Sequence, residues 1–356
     1  MLKKEELYKL YKNKKGGVDA EMYYVNPNLV NLKRIVYQNN RKEYLRLDLN
    51  ENPGGLPQEF INKVLSNITP EFVSQYPETL EFETCLAKFL GVEHDNLCIV
   101  NGSSEGIRHI IEAFSAPGGK IVGAVPSYAM YQVYAEMYGR EFVQVHYNDD
   151  LSLPVEQIIN ALNEDVDLLV LLNPNNPIGN AYTNKELERI LEAVKKYEIN
   201  LLIDEAYMYF YDNTFLEYAI NNPHVLLTRT FSNLFSLGSL RLGYVVGQPQ
   251  DVKMISNLCT PHNTNAFAMK FAQEILETNG MLDALIEKQL AGKQYVIDSL
   301  QSNGFQVSAK EGNFIFVKPR NVDADIIVER MKDEKKILIK SYSGIGCLGK
   351  CLRVTT

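Results

Sequence analysis

Cysteine is scarce in this chain, with five residues at positions 85, 98, 259, 347 and 351. They are odd in number, scattered and never in C-x-x-C spacing, which excludes a disulfide framework or a cysteine-rich metal site. Histidine is equally sparse: His94, His109, His146, His224 and His262 stand apart, with no H-x-x-x-H pair to hold a metal. No stretch approaches the roughly 18 apolar residues that a membrane helix needs. The Met1-Leu2-Lys3-Lys4-Glu5-Glu6 start has early acids and lacks the apolar run of a signal peptide. A cytoplasmic location without a membrane partner is the expectation. Excess positive charge is missing too, since 36 Lys plus Arg against 44 Asp plus Glu leave a net charge of −8. That balance argues against nucleic acid as a partner. Internal repeats, charge blocks and low-complexity linkers are also absent.

What remains is an average globular composition, 46% hydrophobic and 22% charged, in 356 residues. This length exceeds what a single core usually reaches, about 250–300 residues, and suggests a large domain with an appendage. Residues 1–45 are polar and punctuated by Gly16-Gly17 and Pro27-Asn28, an arm with one short amphipathic helix around Glu5–Tyr11. Residues 46–262 read as a large domain whose first part, about 46–70, can pack with the small domain, and 263–356 read as that smaller domain.

Within the large domain, apolar runs alternate with helical patterns. Ser104–Phe114 and Ser127–Tyr138 read as helices, as does Thr183–Lys196, where Thr183-Asn184-Lys185-Glu186 has the capping-box pattern. Leu97–Val100, Lys120–Val125, Val166–Leu172, Ile199–Asp204, Val225–Thr230 and Gly243–Gly247 read as strands. Near-continuous apolar strands separated by helices predict an α/β fold, a mostly parallel sheet covered on both faces. After Asn263 the texture changes to a helical stretch Phe267–Ser302, strands Phe305–Val307 and Asn313–Val317, a helix near Ala324–Lys332 and a strand Cys351–Val354, an α+β order.

Ligands of open α/β sheets bind beyond the carboxyl ends of the strands, and five such segments carry chemistry. Asn101-Gly102-Ser103-Ser104-Glu105-Gly106 offers free amides and two hydroxyls at a helix start, a seat for phosphate. The simpler reading is a serine N-cap with a nearby Glu. Asn173-Pro174-Asn175-Asn176-Pro177-Ile178-Gly179 is a rigid turn that also fixes two adjacent amide side chains. Asp204-Glu205-Ala206-Tyr207 closes an apolar strand with an acid, either solvated or buried against a cation or donor. Thr230–Tyr244 carries Ser232 and Arg241, which one anion could bridge. Arg353 alternates with apolar neighbours in Cys351-Leu352-Arg353-Val354, a cation near the core that suits a carboxylate.

In this order and spacing, the five segments resemble the fold-type-I pyridoxal-phosphate-dependent aminotransferases, and most closely their histidinol-phosphate aminotransferase branch. The resemblance runs from about Leu47 to Thr356. It includes Asp48-Leu49-Asn50-Glu51-Asn52-Pro53, Gln75-Tyr76-Pro77-Glu78 and Pro126-Ser127-Tyr128-Ala129-Met130-Tyr131. It implies pyridoxal 5'-phosphate as cofactor, or its pyridoxamine form, or a trapped external aldimine. Ser103, Ser104, Ser232 and Arg241 would hold the phosphate, with Tyr76 reaching in from a second subunit of a homodimer. Tyr128 would stack on the ring, Asn176 and Tyr207 would bond its phenolic oxygen, and Asp204 would pair with the ring nitrogen. Arg353 would grip the substrate carboxylate, and His262, at the domain junction, is a candidate substrate contact. A second cation for an anionic substrate is not identified, and Arg34 and Lys340 read more simply as surface charge. The expected substrates are an amino acid such as glutamate and a small phosphorylated carbonyl compound.

One residue departs from the pattern. The family's Ser-Lys-x-Phe-x-Leu appears here as Ser232-Asn233-Leu234-Phe235-Ser236-Leu237, so Asn233 stands where the Schiff-base lysine is expected. A carboxamide neither forms an imine nor shuttles a proton at neutral pH. The chain then reads as a lysine-to-asparagine variant of a working enzyme, as a natural member using another base such as Tyr207, or as a cofactor-binding protein without turnover. Decarboxylation of an O-phospho amino acid is an alternative reaction of the same fold. The family also leads one to expect a further helix after the Arg353 strand, and a substrate lid that the Tyr23-Tyr24 arm does not clearly match.

Overall fold

Seven strands form the central sheet of the computed structural model, which describes residues 25–33, 40–342 and 344–356. The expected helix around Glu5–Tyr11, the Tyr23-Tyr24 arm and Arg34 lie outside the described residues. The strands are β1 (Leu97–Val100), β2 (Lys120–Val125), β3 (Glu141–His146), β4 (Val166–Leu172), β5 (Asn200–Asp204), β6 (Val225–Thr230) and β7 (Gly243–Val246). Their spatial order is β1-β7-β6-β5-β4-β2-β3. β7 runs antiparallel to both neighbours and every other pair is parallel. β1 and β2–β6 therefore end at the same edge, where their carboxyl ends gather the strand-end segments.

The interior strands are covered on both faces, so all of β6 and nearly all of β4 and β5 is buried. β3 is different. It is the edge strand, with one hydrogen-bonded neighbour and mostly exposed or half-buried residues, so its Glu141-Phe142-Val143-Gln144-Val145-His146 run lacks the apolar signature. Helix α1 (Ser103–Phe114) follows β1, α2 (Met130–Met137) follows β2, and α3 (Asn184–Lys196) follows β4. The capping box at α3 is formed: Thr183 Oγ1 accepts from the Glu186 amide at 3.3 Å, and Glu186 accepts from the Thr183 amide at 2.8 Å.

Two expected elements are corrected. The helix expected from Ser127 begins at Met130, because the strand-end loop takes Ser127 and Tyr128: Ser127 Oγ accepts from Asn175, and the Tyr128 hydroxyl meets Ser104. The stretch Phe267–Ser302 is two helices, α4 (Ala266–Glu277) and α5 (Met281–Ser302). They break at Gly280, whose φ of 72° is a left-handed conformation that glycine adopts without steric cost.

In the small unit, β8 (Gln306–Ser308), β9 (Phe314–Lys318), β10 (Lys340–Ser341) and β11 (Leu352–Thr355) pair antiparallel in the order β10-β11-β9-β8, with helix α6 (Ala324–Lys335) between β9 and β10. β8, β9 and β11 each begin one residue later than the sequence suggests. Alternation along β9 serves two cores. Ile315 and Val317 pack with Leu352, Ala324 and Ile339, whereas Phe314 and Phe316 join the main core. Arg353 lies opposite Phe316 in the ladder, and Thr355 opposite Phe314, so both face the large domain. Leu45–Arg46 pairs with Ile337–Leu338, and Leu47 packs into the small core.

Candidate active site

At the carboxyl edge of the sheet, β1 turns sharply into α1. Gly102 occupies the N-cap with a φ of 81°, and no side chain caps the helix, which sets aside the reading of a serine as N-cap. Glu105 bonds the amide of Asn101 at 2.7 Å. A Cβ on Gly102 would sit 2.4 Å from Arg241 Nη2, so only glycine lets this guanidinium lie across the helix start. Arg241 also donates to Ser232 Oγ at 3.4 Å and to the Gly238 carbonyl at 3.1 Å. The Ser232 hydroxyl accepts from Thr230 at 2.9 Å. Uncapped amides at Ser103 and Ser104, two hydroxyls and one arginine thus converge, a donor set that fits a phosphate monoester.

A chain of aromatic contacts leads from this cradle to an acid. Ser104 Oγ lies 3.1 Å from the Tyr128 hydroxyl, and the Tyr128 ring meets Tyr131 edge-on at 5.4 Å. Burial pushes the Tyr128 phenol up to about 12, more than the Ser104 bond lowers it. Tyr131 donates to Asp204 Oδ2 at 2.6 Å, while Thr228 and the Ala206 amide each donate to Oδ1 at 3.2 Å. Asp204 is only 2% exposed, so it is not a solvated strand-end acid. Desolvation raises its pKa to about 6, although the Tyr131 and Thr228 bonds oppose the rise. A buried carboxylate held by three donors and, among the described residues, by no cation suits a protonated ring nitrogen.

The other half of the site joins the two domains. The buried Tyr207 hydroxyl accepts from Asn50 at 2.9 Å and from Asn176 at 2.7 Å. Burial raises its pKa above the usual phenol range despite the nearby Arg353. Asn176 in turn accepts from Arg353 Nη1 at 2.6 Å, and Arg353 Nη2 donates to the Asp48 carbonyl. Arg353 is 3% exposed and packs over Phe314 and Tyr342, and its Nε has no partner. Among the described residues no carboxylate pairs with it. The contrast is Arg229, equally buried, which is bonded twice to Glu205 Oε2 at 3.0 and 2.8 Å. A buried guanidinium without a counter-anion fits an incoming carboxylate.

Lys340 stands opposite Arg353 in the β10–β11 ladder, hence on the same face, and lies 5.3 Å from the Tyr342 ring centre. It is half-buried, and desolvation first, then Arg353, lowers its pKa. Asn233 is half-buried at the bend after β6, with its Nδ2 donating to the Ala206 carbonyl at 3.0 Å. Tyr76 does not enter the site of its own chain. It is 79% exposed and stacked on His262 at 4.6 Å, and His262 Nδ1 lies 3.2 Å from the Pro77 carbonyl.

Sequence reasoning missed Asn50, Tyr131 and Thr228 as partners in these networks. Asn50 and Tyr131 stand in segments that carry the family resemblance, but spacing alone does not say where a side chain points. Thr228 left no signal, being one more interior residue of the buried strand β6.

The aminotransferase class I and II family model matches residues 42–356. Histidinol-phosphate aminotransferase 1 of Trichormus variabilis is 31% identical over 315 residues, 88% of this chain and 87% of that protein. Histidinol-phosphate aminotransferase of a Thermoanaerobacter species is 32% identical over 315 residues, covering 87% of this chain and 88% of the other. In fold, the histidinol-phosphate aminotransferase of Sinorhizobium meliloti in complex with pyridoxal-5'-phosphate superposes with a TM-score of 0.84 at 22% identity, covering 95% and 94% of the two chains. L-Threonine-O-3-phosphate decarboxylase of Porphyromonas gingivalis has a TM-score of 0.74 at 23% identity, with 88% and 94% covered. Fold likeness at such identities says nothing about the reaction, but the family model and the closer relatives span most of the sequence: this chain belongs to the class I and II aminotransferases.

Proposed function

We propose that the chain binds pyridoxal 5'-phosphate or its amine form without a covalent link, and that the site is built for amino transfer between an amino acid, glutamate being the expected donor, and a small phosphorylated carbonyl compound. The observation that carries this reading is Arg353, a buried cation with no carboxylate partner, bonded to the Asn176 that also holds Tyr207.

Pyridoxal 5'-phosphate, the family's cofactor, supplies an electron-withdrawing ring that stabilises negative charge on the substrate carbon. The residues present fit its two ends. The Gly102 cradle with Ser103, Ser104, Ser232 and Arg241 would hold the phosphate, and Asp204 would hold the ring nitrogen, its desolvation cost offset by the cation it meets. Tyr207 accepts two amide hydrogens and keeps its own proton at neutral pH, so it donates to an oxygen rather than acting as a base. Arg353 would orient the substrate through its carboxylate, and Lys340 beside it would meet a second anionic group. Asn233 cannot hold or move a proton at neutral pH, so the chain as written binds and orients but lacks the proton carrier.

Co-elution of each cofactor form with the protein tests this. The expected result is binding that survives gel filtration, disappears on dialysis and leaves no added mass after borohydride reduction. Arg241→Ala should weaken binding about 10- to 100-fold, as for a lost charge-assisted hydrogen bond. Lys340→Ala should abolish the absorbance change caused by a phosphorylated amino acid while sparing that caused by alanine, which has no second anionic group. Absence of binding by either cofactor form at millimolar concentration would overturn the reading.

The same reading makes the protein a homodimer in which Tyr76 completes the partner's site. Its support is an exposed apolar run around Val73, Tyr76 and Leu80, which are 61%, 79% and 65% exposed. Light scattering of the full chain should give twice 40.5 kDa, and a monomer that binds cofactor equally well would refute it.

A further inference from the structure

Outside the site, Cys98 and Cys259 bring their sulfurs to 3.8 Å although 161 residues separate them in sequence. Cys98 lies in β1 and is 7% exposed. Cys259 ends the helix Pro249–Leu258 and is half-buried, so it is the sulfur a small reagent reaches first. His109 on α1 is 4% exposed, and its Nδ1 has no hydrogen-bond partner. It borders Cys259, where the Cys98 thiol first and then this imidazole favour the thiolate. Nothing in the proposed amino-transfer chemistry uses these three residues.

We propose that Cys98 and Cys259 form a site of reversible oxidation, converted by hydrogen peroxide into an intramolecular disulfide. The Cys259 thiolate attacks one peroxide oxygen, the O–O bond breaks, and the departing hydroxide takes up a proton as water, leaving a sulfenic acid. The Cys98 sulfur then displaces the hydroxyl from Cys259, and the Cys98 proton leaves with it as a second water. Two thiols and one peroxide give one disulfide and two waters, with two electrons passing from the sulfurs to the peroxide. Closure requires the sulfurs to approach to about 2.05 Å, by rotation of both side chains. The bond would fasten the start of the 259–265 connection to β1. Asn263 already binds that strand there, through the Ile99 carbonyl at 3.0 Å and Glu105 at 3.4 Å. That connection leads into α4 and the small unit, and β1 leads into the Gly102 cradle.

The full chain is to be treated with stoichiometric peroxide, alkylated and digested without reductant. The expected product is a Cys98–Cys259 linked peptide, formed at least about tenfold faster than any oxidation of Cys85 and reversed by dithiothreitol. Cys98→Ala should stop at a sulfenic acid on Cys259 that dimedone captures, a readout that needs only Cys259 and guards against loss of packing around β1. Cys259→Ser should leave Cys98 alkylatable after unfolding. Recovery of Cys98 and Cys259 as free thiols under conditions that oxidise Cys85, or a linked peptide found only between two chains, would overturn the proposal.

Discussion

Asn233→Lys is expected to make the chain hold its cofactor covalently and to raise its amino-transfer rate by about 10²- to 10⁴-fold, the range for a positioned acid–base group. The reason is chemical rather than steric. Asn233 lies at the bend after β6, between the Ser232 of the phosphate cradle and the Leu234-Phe235 core pair, and its amide is spent on the Ala206 carbonyl at 3.0 Å. An amine at the same place would be both nucleophile and proton carrier, roles that no neighbour fills. Tyr207 is the nearest alternative, but burial keeps its phenol protonated at neutral pH. Intact mass after borohydride reduction and keto-acid release from glutamate are the two readouts. A lysine variant with neither the added mass nor a faster rate would show that the altered-aminotransferase reading is wrong. An unchanged or slower rate with the cofactor attached would instead point to a base elsewhere in the native chain.

Asp204→Asn should separate stability from function. The folded carboxyl titrates at about 6, whereas an unfolded aspartate titrates near 4. Between those values the folded chain binds more protons than the unfolded one. Asp204 therefore contributes stability that is complete below about pH 4 and lost as pH rises through about 6. A gap of roughly two pH units corresponds to ~3 kcal/mol in the cofactor-free protein. Asparagine removes the buried charge but is a poorer acceptor for Tyr131, so the net gain at pH 8 should be about 1–3 kcal/mol. It should be smaller at pH 5, as read by urea unfolding at both pH values. In the Asn233→Lys background the same change should cost at least about 10²-fold in transamination, because a neutral amide no longer holds the ring nitrogen protonated. A variant less stable than its parent at pH 8 would contradict the account of Asp204 as a group strained without its ligand.

The fold was legible where burial is complete. β4 is apolar nearly throughout and β6 opens on Val225-Leu226-Leu227, both buried because helices cover both faces of the sheet, and their observed limits match those read from the sequence. The edge strand β3 was not legible, because Glu141, Gln144 and His146 face solvent and break the apolar run. Nor was the break at Gly280, where one left-handed residue divides a periodic helical pattern. Within the site, the residue types announced an anion seat, an acid and a buried cation. The partners were hidden, because they meet across long distances in sequence, Tyr131 with Asp204 and Asn50 with Tyr207, or, for Lys340 alongside Arg353, through a strand too short to read. Lys340 looked like surface charge, since a strand of two residues, Lys340–Ser341, leaves no pattern. The pairing of β10 with β11 is what turns it toward the site.

The seam between Asp48–Asn50 and β11 also bears on the order of assembly during synthesis. Arg353 donates to the Asp48 carbonyl, and Asn50 and Thr355, 305 residues apart, share two hydrogen bonds. The large sheet can form as its strands leave the ribosome, since the pairs among β2–β6 join segments close in sequence. The Asp48–Asn50 segment is translated before all seven strands of the sheet, yet its partner strand follows them all. A nascent chain stalled before β11 thus carries the Gly102 turn and Asp204 but no Arg353, so the seam that Asp48–Asn50 makes with β11 closes only after the sheet is complete.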